Sequence, residues 1–425
     1  MRHAPSARSH DQRGAAALIV TVGLFFAMLL ATLFANRNLL FEQRSAANQV
    51  RSTQAFEAAE AGLEWSIAQL NNARRIGPDC QPSADPTASS FRSRYLSVTR
   101  RTAAFAVRTW NASGTDTALQ PTCVRVGSGW SCSCPAQGLP ELAAPAGSTP
   151  ASAFSLRFAT IGKPGLVRIS VTGCSSLAGA CLPGSTGRAE ATATIDVTVG
   201  LLAALRTPPA ATLTARGAVD ADTATLGVHN PDPATGIAIH TGGHLAAAQA
   251  RLTTPAGAPK AGALVSDDAA LAGANADRFF ASHFGVGKTG WKNQPGVTRL
   301  ACSGDCTAAL VAAIDAAADS ALVWIDGDLT LTGPITLGSL QRPVLIVVSG
   351  ALRLDGAVAL NGVVYSAAMN WSHTAGGAFL RGAAITEGDY RGDGAPELFY
   401  DTAVLDLLKG SAGTFARVNG SWRDF

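Results

Sequence analysis

Across 425 residues, 15% are charged, 47% are hydrophobic, and the formal net charge is +3. That composition excludes an intrinsically disordered chain, which would be rich in charge and poor in apolar residues. The near-neutral balance, with no Lys/Arg run and no aromatic–basic interleaving, excludes a nucleic-acid track, and the length accommodates two domains beyond any anchor.

Residues 1–14 are polar, with Arg2, Arg8 and Arg13 against Asp11, and residues 15–35 carry no charge. As a helix, 15–35 spans roughly 32 Å at ~1.5 Å per residue, which matches a ~30 Å hydrocarbon core. A basic leader before such a span stays cytoplasmic while the remainder crosses outward. A secretory signal would show a shorter apolar region and a small-x-small cleavage site. Here the apolar stretch runs on into residues 36–72, which contain no Pro and one Gly, Gly62. Phe56, Leu63 and Leu70 recur every seven residues, with Ala59 and Ile67 between them. That is an amphipathic stripe, so one helix of nearly sixty residues is predicted. Its first part, 15–35, sits in lipid, and its extension, 36–76, lies against a partner or its own head. Glu57, Glu60 and Glu64 line one side and read as a solvated face.

Gln12-Arg13-Gly14 directly before the apolar helix resembles the prepilin peptidase site of type IV pilins. Residues 13–20, RGAAALIV, followed by residues 55–64, AFEAAEAGLE, resemble the N-terminal domain of PilX-type minor pilins. The resemblance implies cleavage after Gly14 on the cytoplasmic side, so that Ala15 leads the mature chain. It also implies an inner-membrane protein with its head in the periplasm, later displayed in a cell-surface filament. The implied partners are other minor and major pilins, the prepilin peptidase, the assembly platform and a PilY-type tip adhesin. Major pilins carry Glu at the fifth mature position, where its carboxylate meets a neighbour's terminal ammonium; here that position is Ile19. An unpaired charge in an apolar core costs several kcal/mol, so a chain lacking the carboxylate is a poor repeating unit. A tip or initiation complex suits it, and the tip pseudopilin of type II secretion shares the departure.

After Ile76-Gly77-Pro78 the helix is expected to stop. Residues 77–207 read as a Cys-containing β-rich domain, with strands at Ala153–Thr160, Leu166–Thr172 and Ala189–Val199. Thr207-Pro208-Pro209 marks a boundary, and 208–425 read as a Gly-rich second domain. There residues 327–333 (GDLTLTG) and 350–356 (GALRLDG) share one form, 23 residues apart. Repeated short strands with Gly corners predict a β-solenoid, with a β-sandwich as the alternative. Helical inserts are expected at Asp267–Phe284 and Cys306–Ser320, the latter capped by Asp305. A third helix, Asp401–Lys409, is placed over the solenoid's open end. The predicted class is therefore α+β: a long pilin-like transmembrane helix, a small β-rich domain and a solenoid-like domain.

Eight cysteines, an even number, suit disulfides in an oxidising compartment. Cys174/Cys181 and Cys302/Cys306 are near enough in sequence to close local loops. The other pairings are open, and so is a mixture of disulfides and free thiols. Cys132-Ser133-Cys134 departs from zinc spacing, and no metal is expected. Calcium near Asp389 and Asp393 fits poorly, because EF-hand spacing is missing. His240 and His244 sit in a Gly-rich turn without the Glu of a zincin. No cofactor loop or catalytic constellation is legible, so a structural subunit is expected, ahead of a displayed adhesin or a glycan-cleaving enzyme.

Overall fold

The computed structural model describes residues 13–424 apart from 100–102, 113, 144, 146–150, 178, 184, 186–190, 224 and 374–375. Residues 1–12 of the leader and the start of the strand expected from Ala189 therefore lie outside the described residues. The architecture is a long N-terminal helix followed by a mostly β chain, an α+β arrangement.

One helix runs from Arg13 to Leu70, 58 residues. Among the described residues its stretch from Ala16 is the one helix long and apolar enough to cross a membrane, and its apolar window is wholly unburied. The character changes at Ala55: Ala55, Ala59, Leu63 and Leu70 are completely buried. Uncharged side chains face outward where lipid or another helix must cover them, and the stripe turns inward where a sheet is available.

That sheet is antiparallel. Its order is Gly413–Arg417, Thr192–Ala203, Leu166–Cys174, Ala153–Thr160, Thr122–Val126, Gly129–Ser133, with Arg423–Asp424 also on Thr192–Ala203. Alternation sets its buried face, which brings Val167, Ile169, Val171, Ile195, Val197 and Val199 under the helix. The chain's end thus returns to the first unit, so assigning all of 208–425 to one Gly-rich domain is corrected for 413–424. Nothing in the local pattern marks this, because the pairing is set more than two hundred residues away.

From Ala211 to Tyr400 the strand pairing is parallel. One sheet contains twelve strands and a second contains seven. Leu329 pairs with Leu352 and Leu331 with Leu354, so the two GxLxLxG segments stack in register. The larger sheet bends sharply inside Val358–Ser366: residues 358–360 pair with Ile335–Leu337, and 362–365 pair with 344–347. Gly362 makes the bend at φ +154°, where a Cβ would lie 1.8 Å from the Val344 carbonyl oxygen. Its register partner Gly382 has the same need. In the smaller sheet the order is 245–246, 219–220, 390–392, 368–371, 351–355, 329–332, 304–305. The earliest segments therefore stack on the latest, and the pile is continuous in space but not in sequence.

Leucine, valine and isoleucine fill the space between the parallel sheets, with Trp371 and Tyr390 among them. Val344–Val348 is buried at every position because its outer face is covered as well. The cover is Phe279, Phe280, Phe284 and Trp291, with Val404, Leu405 and Leu408. The helix expected over 267–284 is two helices, Ala269–Ala272 and Ala276–Phe284, because Asn275 caps the second by accepting from the Arg278 amide. The helix expected over 306–320 is Thr307–Ala316, ended where Ala317 bridges to Arg74 in extended conformation. The C-terminal helix, Thr402–Ser411, lies on the flank of the larger sheet. Its expected place over the open end is taken by Thr307–Ala316, whose Leu310 enters the interior behind the terminal strands.

One covering helix, Lys288–Lys292, is pinned by ion pairs at both ends. Lys288 pairs with Glu387, which also accepts from Tyr365 Oη at 2.6 Å. Lys292 Nζ lies 2.6 Å from Asp326 Oδ1, and Trp324 Nε1 donates to the same oxygen at 2.8 Å. These donors, Lys292 first, hold the Asp326 carboxyl below its ordinary range. A carboxylate with a depressed folded-state pKa stabilises above its ordinary range and loses that contribution as pH falls through the lowered value. An acid titration of indole fluorescence from about pH 6 to about pH 2 is expected to show a small transition that Asp326→Asn removes. An identical acid limb in the variant would disprove the assignment.

Candidate functional site: the long helix and its seat in the head

The exposed span of the helix includes Ile19, which is 70% exposed, and large apolar side chains face outward to Phe41, with Val50 beyond. Gly14 and Ala15 lie in its first helical turn. The five stripe residues meet the head unequally: Ala59, Leu63 and Leu70 are completely buried, whereas Phe56 and Ile67 are partly buried against the same cluster. Glu57, Glu60 and Glu64 are exposed, and Glu64 pairs with Arg417 on the returning strand. At that exposure the pair is worth at most about 1 kcal/mol.

Two glycines bring helix and sheet into near-contact. A Cβ on Gly173 would lie 2.0 Å from the Ala55 carbonyl oxygen and 2.5 Å from the Ala59 nitrogen. A Cβ on Gly62 would lie 2.7 Å from Val171 and 2.8 Å from Phe154. Trp65 closes the side of this contact, edge-on to Phe91 at 5.3 Å.

The last helical turn is locked by polar groups. Asn71 Nδ2 donates to the Phe415 carbonyl at 3.0 Å, and its Oδ1 accepts from the Phe415 amide at 2.7 Å. Arg92 donates to the carbonyls of Leu70, Ser411 and Gly413 at 2.8–3.0 Å. Its guanidinium lies 4.9 Å from the Phe415 ring centre. Leu70 and Ser411 end two helices, whose terminal carbonyls have no partner within the helix, so one cation satisfies both ends. Burial lowers the pKa of this guanidinium, and Asp319 opposes the shift. Arg92, Asn71 and Gly173 are absent from the candidate residues read in sequence. Their one local signal is Gly173, a glycine inside the alternating apolar run before Cys174.

All eight cysteines are paired: Cys80–Cys134, Cys123–Cys132, Cys174–Cys181 and Cys302–Cys306. Asp389 accepts from the Ala218 amide and pairs with Arg391, while Asp393 lies by Tyr390. No group of three His, Cys, Asp or Glu side chains among the described residues is arranged to hold a metal ion. His240 bonds Asp268 at 2.8 Å, and that aspartate also caps a helix.

The geometry is that of a projecting apolar helix whose second half is seated in an antiparallel sheet of the head. Residues 13–64 match the family model PilX N-terminal. That segment, the exposed apolar span and the first part of its seat in the head, is similar to the N-terminal region of that family. No curated protein matches the chain. Among solved structures, the competence-associated pilin ComZ from Thermus thermophilus is similar at 11% identity, covering 88% of this chain and 98% of that one, with a TM-score of 0.19.

Proposed function

We propose that this protein is a minor subunit of a type IV pilus, placed in the tip or initiation complex, and that it has no catalytic role. The observation carrying the reading is the helix from residue 16 to about 54. It is exposed, apolar at its start, and continuous with a stripe seated in the head. A protein with that surface resides in a bilayer until like helices replace the lipid. Cleavage after Gly14 by prepilin peptidase would make Ile19 the fifth residue, and an apolar side chain there offers no anion to a neighbour's terminal ammonium. A subunit that terminates the helix bundle needs no such anion. The parallel stack supports reading the second half of the head as a β-solenoid, a rigid body carried outward by the filament. The partners on this reading are other minor and major pilins, the assembly platform and a PilY-type tip adhesin.

Mass spectrometry of the protein from piliated cells is expected to find Ala15 at the N-terminus, and Gly14→Arg is expected to retain the leader and reduce piliation. Gold labelling of a tagged head should mark filament ends. Labels spaced along the filament in proportion to the major subunit would overturn the tip placement. An intact leader in cells with active peptidase would overturn the pilin reading itself.

A further inference from the structure

We propose that the cleft at the seam between the antiparallel and parallel halves is a binding site for a doubly charged oxyanion, phosphate or a short dicarboxylate. The cleft has a volume of about 250 Å³. Arg92, Ser93, Ser97 and Arg108 line it from the antiparallel side, and Asp319 and Arg342 from the parallel side. Three arginines and one aspartate thus line one cleft.

The donors are unevenly used. Arg92 is committed to carbonyls around it. Arg108 donates through Nε to the Leu96 carbonyl at 3.4 Å, and Arg342 donates through Nη1 to the Ala317 carbonyl at 3.3 Å. Among the described residues, both terminal nitrogens of Arg108, and Nε and Nη2 of Arg342, have no protein acceptor. Asp319 accepts the Ser90 hydroxyl, so part of its capacity is already spent. Guanidinium forks recognise carboxylate and phosphate through paired, charge-assisted hydrogen bonds. One fork from each side of a domain junction is the arrangement that holds a dianion, and junctions are where ligand clefts concentrate. A bound anion would join the halves near Arg74 and Ala317, where the segment after the long helix already meets the parallel stack. It would therefore stiffen the link between the anchoring helix and the outer head.

Full-length protein in detergent is titrated calorimetrically with inorganic phosphate, succinate and acetate. Saturable binding of phosphate or succinate supports the proposal and assigns the ligand class. Equal binding of acetate, or no saturation by either dianion, overturns it. Arg108→Gln and Arg342→Gln each keep a polar stem and are expected to weaken binding about tenfold or more. Asp319→Asn keeps an acceptor for Ser90 while removing the opposing charge, and it is expected to tighten binding. The sign of that change does not depend on any variant losing structure. Arg353→Gln, on the outer face of the parallel stack, is the control and is expected to bind as the parent does. If it loses affinity equally, the anion is held elsewhere.

Discussion

Gly173→Val is expected to unseat the long helix and cost upward of roughly 3 kcal/mol, beyond the usual range for an overpacked core. The reason is that the obstruction is backbone. An added Cβ would sit 2.0 Å from the Ala55 carbonyl oxygen and 2.5 Å from the Ala59 nitrogen, and neither can rotate away. The helix would have to lift as a unit, exposing Phe154, Ile169 and Val171. Gly62→Ala tests the same contact from the other side. Its Cβ would meet side chains of Val171 and Phe154, which can shift, so roughly 1–3 kcal/mol is expected. Gly23→Ala has nothing within 4 Å and serves as the neutral control for the head. Thermal melting in detergent, with protease susceptibility across residues 55–70, measures all three. A Gly173→Val protein that melts with the parent would mean that helix and sheet do not approach this closely.

The long helix was legible because its signals are local and repeated: an uncharged run, then Leu63 and Leu70 at heptad spacing. Strands at Ala153–Thr160 and Leu166–Thr172 were legible by alternation, since one face of that sheet is buried. The stacked pair at 329–332 and 351–355 was legible because both rungs need glycine at the same corner. What sequence could not give was long-range closure. That Gly413–Arg417 pairs with Val199–Ala203, or that 219–220 stacks on 390–391, depends on segments folding back across the whole head. The helix seat shows the same division. The apolar half, Ala59, Leu63 and Leu70, follows from periodicity. The polar half, Asn71 and Arg92, acts on carbonyls supplied from residues 411–415, and no local pattern announces such acceptors.

That division gives the anchor a physical logic. The helix end is bonded to the strand Gly413–Arg417, and that strand follows the helix Thr402–Ser411 that packs on the parallel stack. Force applied along the helix therefore reaches both halves of the head through Asn71 and Arg92, with no flexible linker between.

Removing Cys80–Cys134 is expected to destabilise the head more than removing any other disulfide. The bond spans 54 residues in sequence, against 9 for Cys123–Cys132, 7 for Cys174–Cys181 and 4 for Cys302–Cys306. A cross-link stabilises chiefly by restricting the unfolded chain, and the effect grows with loop length. The expected loss is about 4 kcal/mol for the longest loop and about 2 kcal/mol for the shortest. The native neighbourhood leaves little room for compensation. Arg94 donates to the carbonyls of Gly77 and Cys134, and the Cys134 amide donates to the Pro78 carbonyl. Those bonds hold the two ends together only in the folded state, so they cannot replace a restraint on the unfolded one. Urea denaturation of the Cys80→Ala/Cys134→Ala and Cys302→Ala/Cys306→Ala proteins compares the extremes directly. Equal losses, or a larger loss for the shorter loop, would show that the contribution lies in native contacts around each sulfur pair and not in the entropy of the loop it closes.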